Sequence, residues 1–300
     1  MCCFAIVLIL GYLAQLIVVP FYVPIYHSSQ LDLDSPNTLN DINVLLINLI
    51  EKKPFMYAHF NDGELKAMMS NSGKTDRGWQ NLSYELQQKL RNAVRLDVQE
   101  AYIGIPCYFE FREAHNQMRE ILGKPAFSRI TSSTIWINRN YNPVRRILGK
   151  ILTRLWSNSK HKIYFVCPEN TNTDNFVKTT GILLEGILRI PSTNAFPEGY
   201  YRLKDQTFPD GSLVILTAGP LGRILASEWF ERMPKVTFLE MGSFWDHETH
   251  GWTRAYNSRK PEDYYFKPCM IGDPMFFRIN EKKFDQFIDQ AQSRIFNNES

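Results

Sequence analysis

Several features are missing from this sequence, and each absence removes a class of function. There is no Gly-x-Gly-x-x-Gly and no Gly-x-x-x-x-Gly-Lys-[Ser/Thr] run, which counts against a dinucleotide enzyme and a P-loop nucleotidase. Cysteine is scarce, five in 300 residues, and no two are spaced Cys-x-x-Cys. A thiolate zinc ribbon or a thioredoxin-like redox pair is therefore not expected. Beyond Cys2 and Cys3, only Cys107, Cys167 and Cys269 remain, enough for one disulfide with one thiol left over. Excess charge is missing too: 34 basic against 31 acidic residues leave +3, too little to argue for nucleic acid as a partner. No internal repeat or low-complexity tract is visible, and 44% hydrophobic residues suffice for one sizeable core.

Charge is absent altogether from Cys2 to Tyr26, a stretch rich in Ile, Leu, Val and Phe. If Pro20 ends a helix there, Cys2 to Val19 spans roughly 27 Å at about 1.5 Å per residue, close to a hydrocarbon core of about 30 Å. A cleaved signal peptide is the rival, but a basic n-region and a small-x-small cleavage site are lacking. The expectation is a single-pass membrane anchor over residues 1–26 and a polar stem over 27–37, followed by a domain over 38–300. A type II orientation would place that domain in the Golgi or ER lumen of a eukaryote. Only there would the sequons Asn81-Leu-Ser83 and Asn298-Glu-Ser300 be usable.

Past the stem, apolar runs alternate with helical patterns. Strands are expected at Phe55–Phe60, Ala101–Cys107, Thr131–Ile137, Lys162–Cys167, Leu213–Ala218 and Val236–Met241. Helices are expected over Thr38–Lys53, Ser83–Glu100, Arg112–Leu122, from Pro143, over Asn175–Leu188, from the Gly219 loop through Arg232, and over Glu281–Phe296. The Pro143 helix carries Arg145, Arg146, Lys150 and Arg154 and no acid. It suits a solvated face over a core, or a face toward anionic lipid. Strand–helix alternation with apolar strands predicts one α/β, Rossmann-like domain with a mainly parallel sheet, preceded by the transmembrane helix.

The chemistry concentrates where the first strand gives way to a helix, at Asn61-Asp62-Gly63-Glu64. The carboxyl ends of strands in open α/β sheets are where ligands bind. Asp62 and Glu64 there can grip a divalent cation through hard oxygens and leave positions for phosphates. The same residues are also ordinary turn chemistry, with Asp62 capping the helix and Glu64 in its first turn. Downstream, Gly219-Pro-Leu-Gly222 precedes a helix whose first N–H groups can bind phosphate, although Pro220 removes one donor. The strand after that helix ends in Glu240-Met-Gly242, and Asp246-His247-Glu248-Thr-His250 follows. The His-x-x-His pair supplies too few ligands for zinc. Glu240, Asp246 and His247, with Glu248, are instead candidate bases or acceptor contacts. Asn71–Gly78, with Lys74 and Arg77, is a lid or a surface loop; Asn138–Asn142 is an acceptor-contacting loop or a turn.

The run His59-Phe-Asn-Asp-Gly-Glu-Leu65 resembles the Arg-Phe-Gly-Asp-Gly-Glu segment of the GT-D-type glycosyltransferases, a family with a Rossmann-like domain and a DxE motif. Leu216–Ala226 and Phe238–Gly242 resemble that family's strand, Gly-Pro loop, helix and acidic-x-Gly strand end. His59 and Asn61 stand where the family usually has Arg and Gly. The resemblance implies a metal-dependent, nucleotide-sugar-dependent glycosyltransferase acting on a hydroxyl of a glycan or glycoprotein acceptor. It also implies Mn²⁺ or Mg²⁺ on Asp62 and Glu64, and donor contacts from His59, Asn61, Gly219 and Gly222. Two other readings remain open: a metal-dependent phosphoesterase using the same carboxylates, and a membrane-tethered binding domain without catalysis.

Overall fold

The computed structural model describes residues 38–69, 80–106, 112–133, 135, 143–157 and 159–251. Seven strands form one sheet: β1 (Met56–His59), β2 (Ala101–Ile105), β3 (Arg129–Ser132), β4 (Ile163–Pro168), β5 (Gly186–Ile190), β6 (Leu213–Leu216) and β7 (Thr237–Glu240). Their spatial order is β3-β2-β1-β7-β6-β4-β5, and every pairing is parallel. The expectation of a mainly parallel α/β sheet is met. Parallel neighbours need crossovers, and these are supplied largely by helices: α1 (Thr38–Ile50), which leads into β1, then α2 (Asp62–Met69), α3 (Tyr84–Val94), α4 (Arg112–Leu122), α5 (Pro143–Ser157), α6 (Thr173–Thr180), α7 (Glu198–Leu203), α8 (Gly219–Arg232) and α9 (Asp246–His250).

Side-chain alternation sorts each strand between two apolar layers. Met56 and Ala58 of β1, Val214 and Leu216 of β6 and Phe238 of β7 pack with Leu65, Leu90, Met118, Leu221 and Trp229 from α2, α3, α4 and α8. Tyr57, Ile215 and Leu239 face the other way, onto Leu49, Leu152, Phe176 and Trp245 from α1, α5, α6 and the approach to α9. Covering both faces explains why these strands are continuous apolar runs rather than alternating ones. Trp245 closes the second layer, 5.3 Å from Phe176 and 4.8 Å from Phe244 between ring centroids.

Several boundaries differ from the sequence expectation, each for a local reason. The helix expected to reach Leu188 stops at Thr180, where Gly181 takes a left-handed φ of 69° and its N–H bonds the Val177 carbonyl at 2.8 Å. Such an αL glycine ends a helix. Leu188 instead pairs with Val166 in the edge strand β5. The helix opening at Ser83, whose hydroxyl caps the Leu86 N–H at 3.1 Å, ends at Val94 instead of Glu100. Asp97 beyond it accepts the N–H groups of Ala126, Phe127 and Ser128 at 2.7–2.8 Å, which also hold its carboxyl below the usual range. The third strand begins at Arg129 and ends at Ser132, so the Thr131–Ile137 expectation was shifted. Helices α7 and α9 are not among the helices expected from sequence.

Among the described residues no helix is long and apolar enough to cross a membrane. The Cys2–Tyr26 run lies outside them, as do the stem, Lys74, Arg77, Asn138–Asn142, Cys107, Cys269 and the Glu281–Phe296 helix.

Candidate functional site

Strand order decides what meets at the carboxyl end of the sheet. β1, β7 and β6 are consecutive neighbours, so the turn after β1, the Glu240–Gly242 end of β7 and the loop into α8 lie side by side. This is the crevice in which open α/β folds take ligands.

The turn after β1 is closed by its own residues. Asn61 precedes α2 and its N–H donates to Glu64 Oε2 at 2.9 Å, while its carbonyl accepts from the Leu65 N–H at 2.9 Å. This is the Glu half of a capping box. Asp62 is the first helical residue, exposed, with no hydrogen-bond or ion-pair partner among the described residues. Glu64 is buried. Gly63 lies within the helix, and nothing stands within 4 Å of where its Cβ would be. Its side of the turn is open among the described residues.

Behind the turn lies a group that the sequence reading did not single out. Arg223 of α8 is only 4% exposed and faces His59, Glu64 and Glu240, which are 5%, 8% and 0% exposed. Its Nε donates to the His59 carbonyl at 2.7 Å, and Nη2 lies 2.9 Å from His59 Nε2. Nη1 is 3.2 Å from Glu240 Oε1, and Nη2 is 3.4 Å from Glu64 Oε1. A guanidinium only donates, so His59 Nε2 is the acceptor in that contact. Nδ1 lies 2.5 Å from Glu240 Oε2 and 3.4 Å from the Glu240 carbonyl. Burial works against charge on Glu240. The Arg223 guanidinium, then His59 and the Gly242 N–H at 3.2 Å, outweigh it and hold the carboxyl below its ordinary value.

A buried arginine is costly unless fully partnered, and here every nitrogen of the fork has a partner. The signal available in sequence was a lone Arg inside Leu221-Gly-Arg-Ile-Leu-Ala226, an otherwise apolar helical stretch.

The glycines of the α8 loop divide in role. Gly219 has φ +56° and open space around it. A Cβ on Gly222 would lie 3.3 Å from Glu240 Cγ and 3.2 Å from Ala218 Cβ, so this glycine makes room for the Glu240 side chain. Its N–H already bonds the Ala218 carbonyl at 3.3 Å. With Pro220 lacking an N–H, the first turn can offer at most the Gly219 and Leu221 N–H groups to an anion.

Of the expected site residues, the structure brings His59, Asn61, Glu64, Gly222 and Glu240 into one cluster, with Asp62 on its rim. Asp246 and His247 sit apart on α9. That helix packs on α6 through the Asn175 Nδ2 bond to the Glu248 carbonyl at 2.7 Å. His247 is exposed there, Asp246 half-buried and Glu248 buried.

No protein-family model matches the chain, and no curated protein matches it in sequence. Two solved structures of the domain of unknown function 1792, one selenomethionine-substituted, superpose on it with a TM-score of 0.50. They are 17% identical to it over 72% of this chain and 86% of theirs, and the domain is described as having a distinct glycosyltransferase fold. The chain has that fold.

Proposed function

We propose that the chain is a nucleotide-sugar-dependent glycosyltransferase whose donor site is the crevice between the Asn61–Glu64 turn and the start of α8. The observation that carries this is an exposed Asp62, unpartnered among the described residues, just past β1, with the Gly219 helix start past β6 across the single strand β7, within a glycosyltransferase fold.

A divalent cation, Mn²⁺ or Mg²⁺, fits the turn through oxygen donors. Asp62 offers a carboxylate without a partner among the described residues, and Glu64 retains lone pairs beyond the two contacts that hold it. When bound, such a cation would offset negative charge on the departing nucleoside diphosphate. The Gly219 and Leu221 N–H groups would add dipolar stabilisation to the same phosphates. Asn61, whose N–H is already committed to Glu64, would contact the donor through its side chain. His59 would act behind it by holding the turn. Proton abstraction from the acceptor hydroxyl is assigned to Asp246 or His247 on α9. Glu240, buried and clamped between Arg223 and His59, is assigned a holding role in place of the base expected from sequence. The acceptor is a glycan or glycoprotein, and residues 1–26 are proposed as a single-pass anchor that keeps the domain at a membrane surface.

The test is a panel of nucleotide sugars incubated with full-length protein in detergent, with and without Mn²⁺ or Mg²⁺. Nucleoside diphosphate release from one donor class, removed by chelator and by Asp62→Asn, is the expected result. Turnover of simple phosphoesters instead would identify a phosphoesterase. No turnover with tight nucleotide binding would identify a binding domain.

A further inference from the structure

We propose that Arg223 is a positioning residue. It fastens the Asn61–Glu64 turn to the ends of β1 and β7, committing Glu64 to holding the turn and leaving Asp62 to meet the ligand. This deepens the donor-site reading and rests on it only for what Asp62 binds.

Nε, Nη1 and Nη2 are all taken, by the His59 carbonyl, Glu240, and His59 Nε2 with Glu64. With Arg223 only 4% exposed, reaching a phosphate would mean pulling the fork away from its buried partners, so it is not an anion-binding arm. What it joins is informative. The His59 carbonyl belongs to the last residue of β1, Glu240 to the last of β7, and Glu64 to the first turn of α2. One planar fork thus fixes three elements, and Glu64 passes the constraint to the Asn61 N–H, one residue from Asp62.

Charge sets the second half of the proposal. Glu64 and Glu240 set two carboxylates against one guanidinium and the His59 ring. Asp62 adds another at the surface, so the turn attracts a cation while Glu64 is already engaged by one. Lysine would keep the charge of Arg223 and lose the fork, which separates geometry from electrostatics.

The experiment uses full-length protein in detergent with two readouts: Mn²⁺ binding by electron paramagnetic resonance, and amide hydrogen exchange of residues 56–69. For Arg223→Lys, Mn²⁺ affinity should fall about 10–100-fold, as for other groups that orient a metal ligand. Exchange at the Asn61 amide should quicken at least about tenfold, the loss of roughly one hydrogen bond, with no change across Tyr84–Val94. Asp62→Asn should abolish Mn²⁺ binding and leave Asn61 exchange unchanged. Glu64→Gln, which keeps an acceptor for the Asn61 N–H, should weaken Mn²⁺ binding less than Asp62→Asn does. If Arg223→Lys fails to fold, Glu64→Ala tests the same link from the other side and should quicken Asn61 exchange alike. Unchanged Asn61 exchange in the folded variant would overturn the proposal, as would Glu64→Gln matching Asp62→Asn. Absence of Mn²⁺ binding in the wild type would defeat the cation reading alone, with the exchange result still deciding the role of Arg223.

Discussion

Gly242 offers a direct measure of how rigidly His59 is held. It follows β7 with φ +52°, and a Cβ there would lie 2.8 Å from His59 Cε1. Gly242→Ala therefore carries two costs. A left-handed conformation costs an L-residue about 1–2 kcal/mol. Relieving the contact to about 3.5 Å requires a displacement of ~0.7 Å. The His59 ring is pinned between Glu240 and Arg223. Moving it that far from Arg223 would open the 2.9 Å bond to about 3.6 Å, beyond hydrogen-bond range. Losing a hydrogen bond to a charged group adds about 1.5–3 kcal/mol, for a total of about 2.5–5 kcal/mol. Gly251 is the control: φ is +70° and no described residue lies within 4 Å of its Cβ position, so Gly251→Ala should cost only the backbone part. Urea unfolding of both variants gives the difference, expected at about 1.5–3 kcal/mol. Equal losses at the two positions would refute a locked His59.

Asp41 and Gly222 provide two further tests. Burial pushes the Asp41 carboxyl up from 3.8 to about 6, against the lowering effects of the Thr131 hydroxyl, 2.5 Å away, and of Arg129. Between those two values the folded state binds more protons than the unfolded state, so this group's contribution falls as pH rises through the window. Asp41→Asn should therefore stabilise the protein at pH 8, by at most about 3 kcal/mol at ~1.4 kcal/mol per pKa unit. The gain should vanish by about pH 4; a pH-independent change in urea midpoint would contradict it. Gly222→Ala should normally gain about 1 kcal/mol in helix propensity. With Glu240 Cγ 3.3 Å from the new Cβ and clamped by its ion pairs, a lower melting temperature is expected instead. A higher one would show that Glu240 can yield.

Much of the chain was legible locally because the determinants are local. Apolar runs such as Leu213–Leu216 and Ala101–Ile105 fit only strands covered on both faces. Ser83 caps the helix it begins, and Asn61-Asp62-Gly63 breaks β1 and starts α2 within four residues. Helix ends were less legible. A αL glycine at 181 and the diversion of Asp97 to the 126–128 loop compete with a periodicity that, by itself, runs on.

Residues far apart in the chain became partners only in the tertiary structure. Nothing near His59 announces that Glu240, 181 residues later, will lie against it. That follows from crossovers that place β7 beside β1 instead of at the sheet edge. For the same reason Arg223 was not singled out in the sequence: only the packing of α8 on β1 buries its guanidinium among two carboxylates and an imidazole. Local pattern placed Asp62 and Glu64 just past the end of β1 and Glu240 at the end of β7. The packing of α8 decided which carboxylate holds the turn and which is left open, because burial and ion pairing depend on neighbours in space, not in sequence.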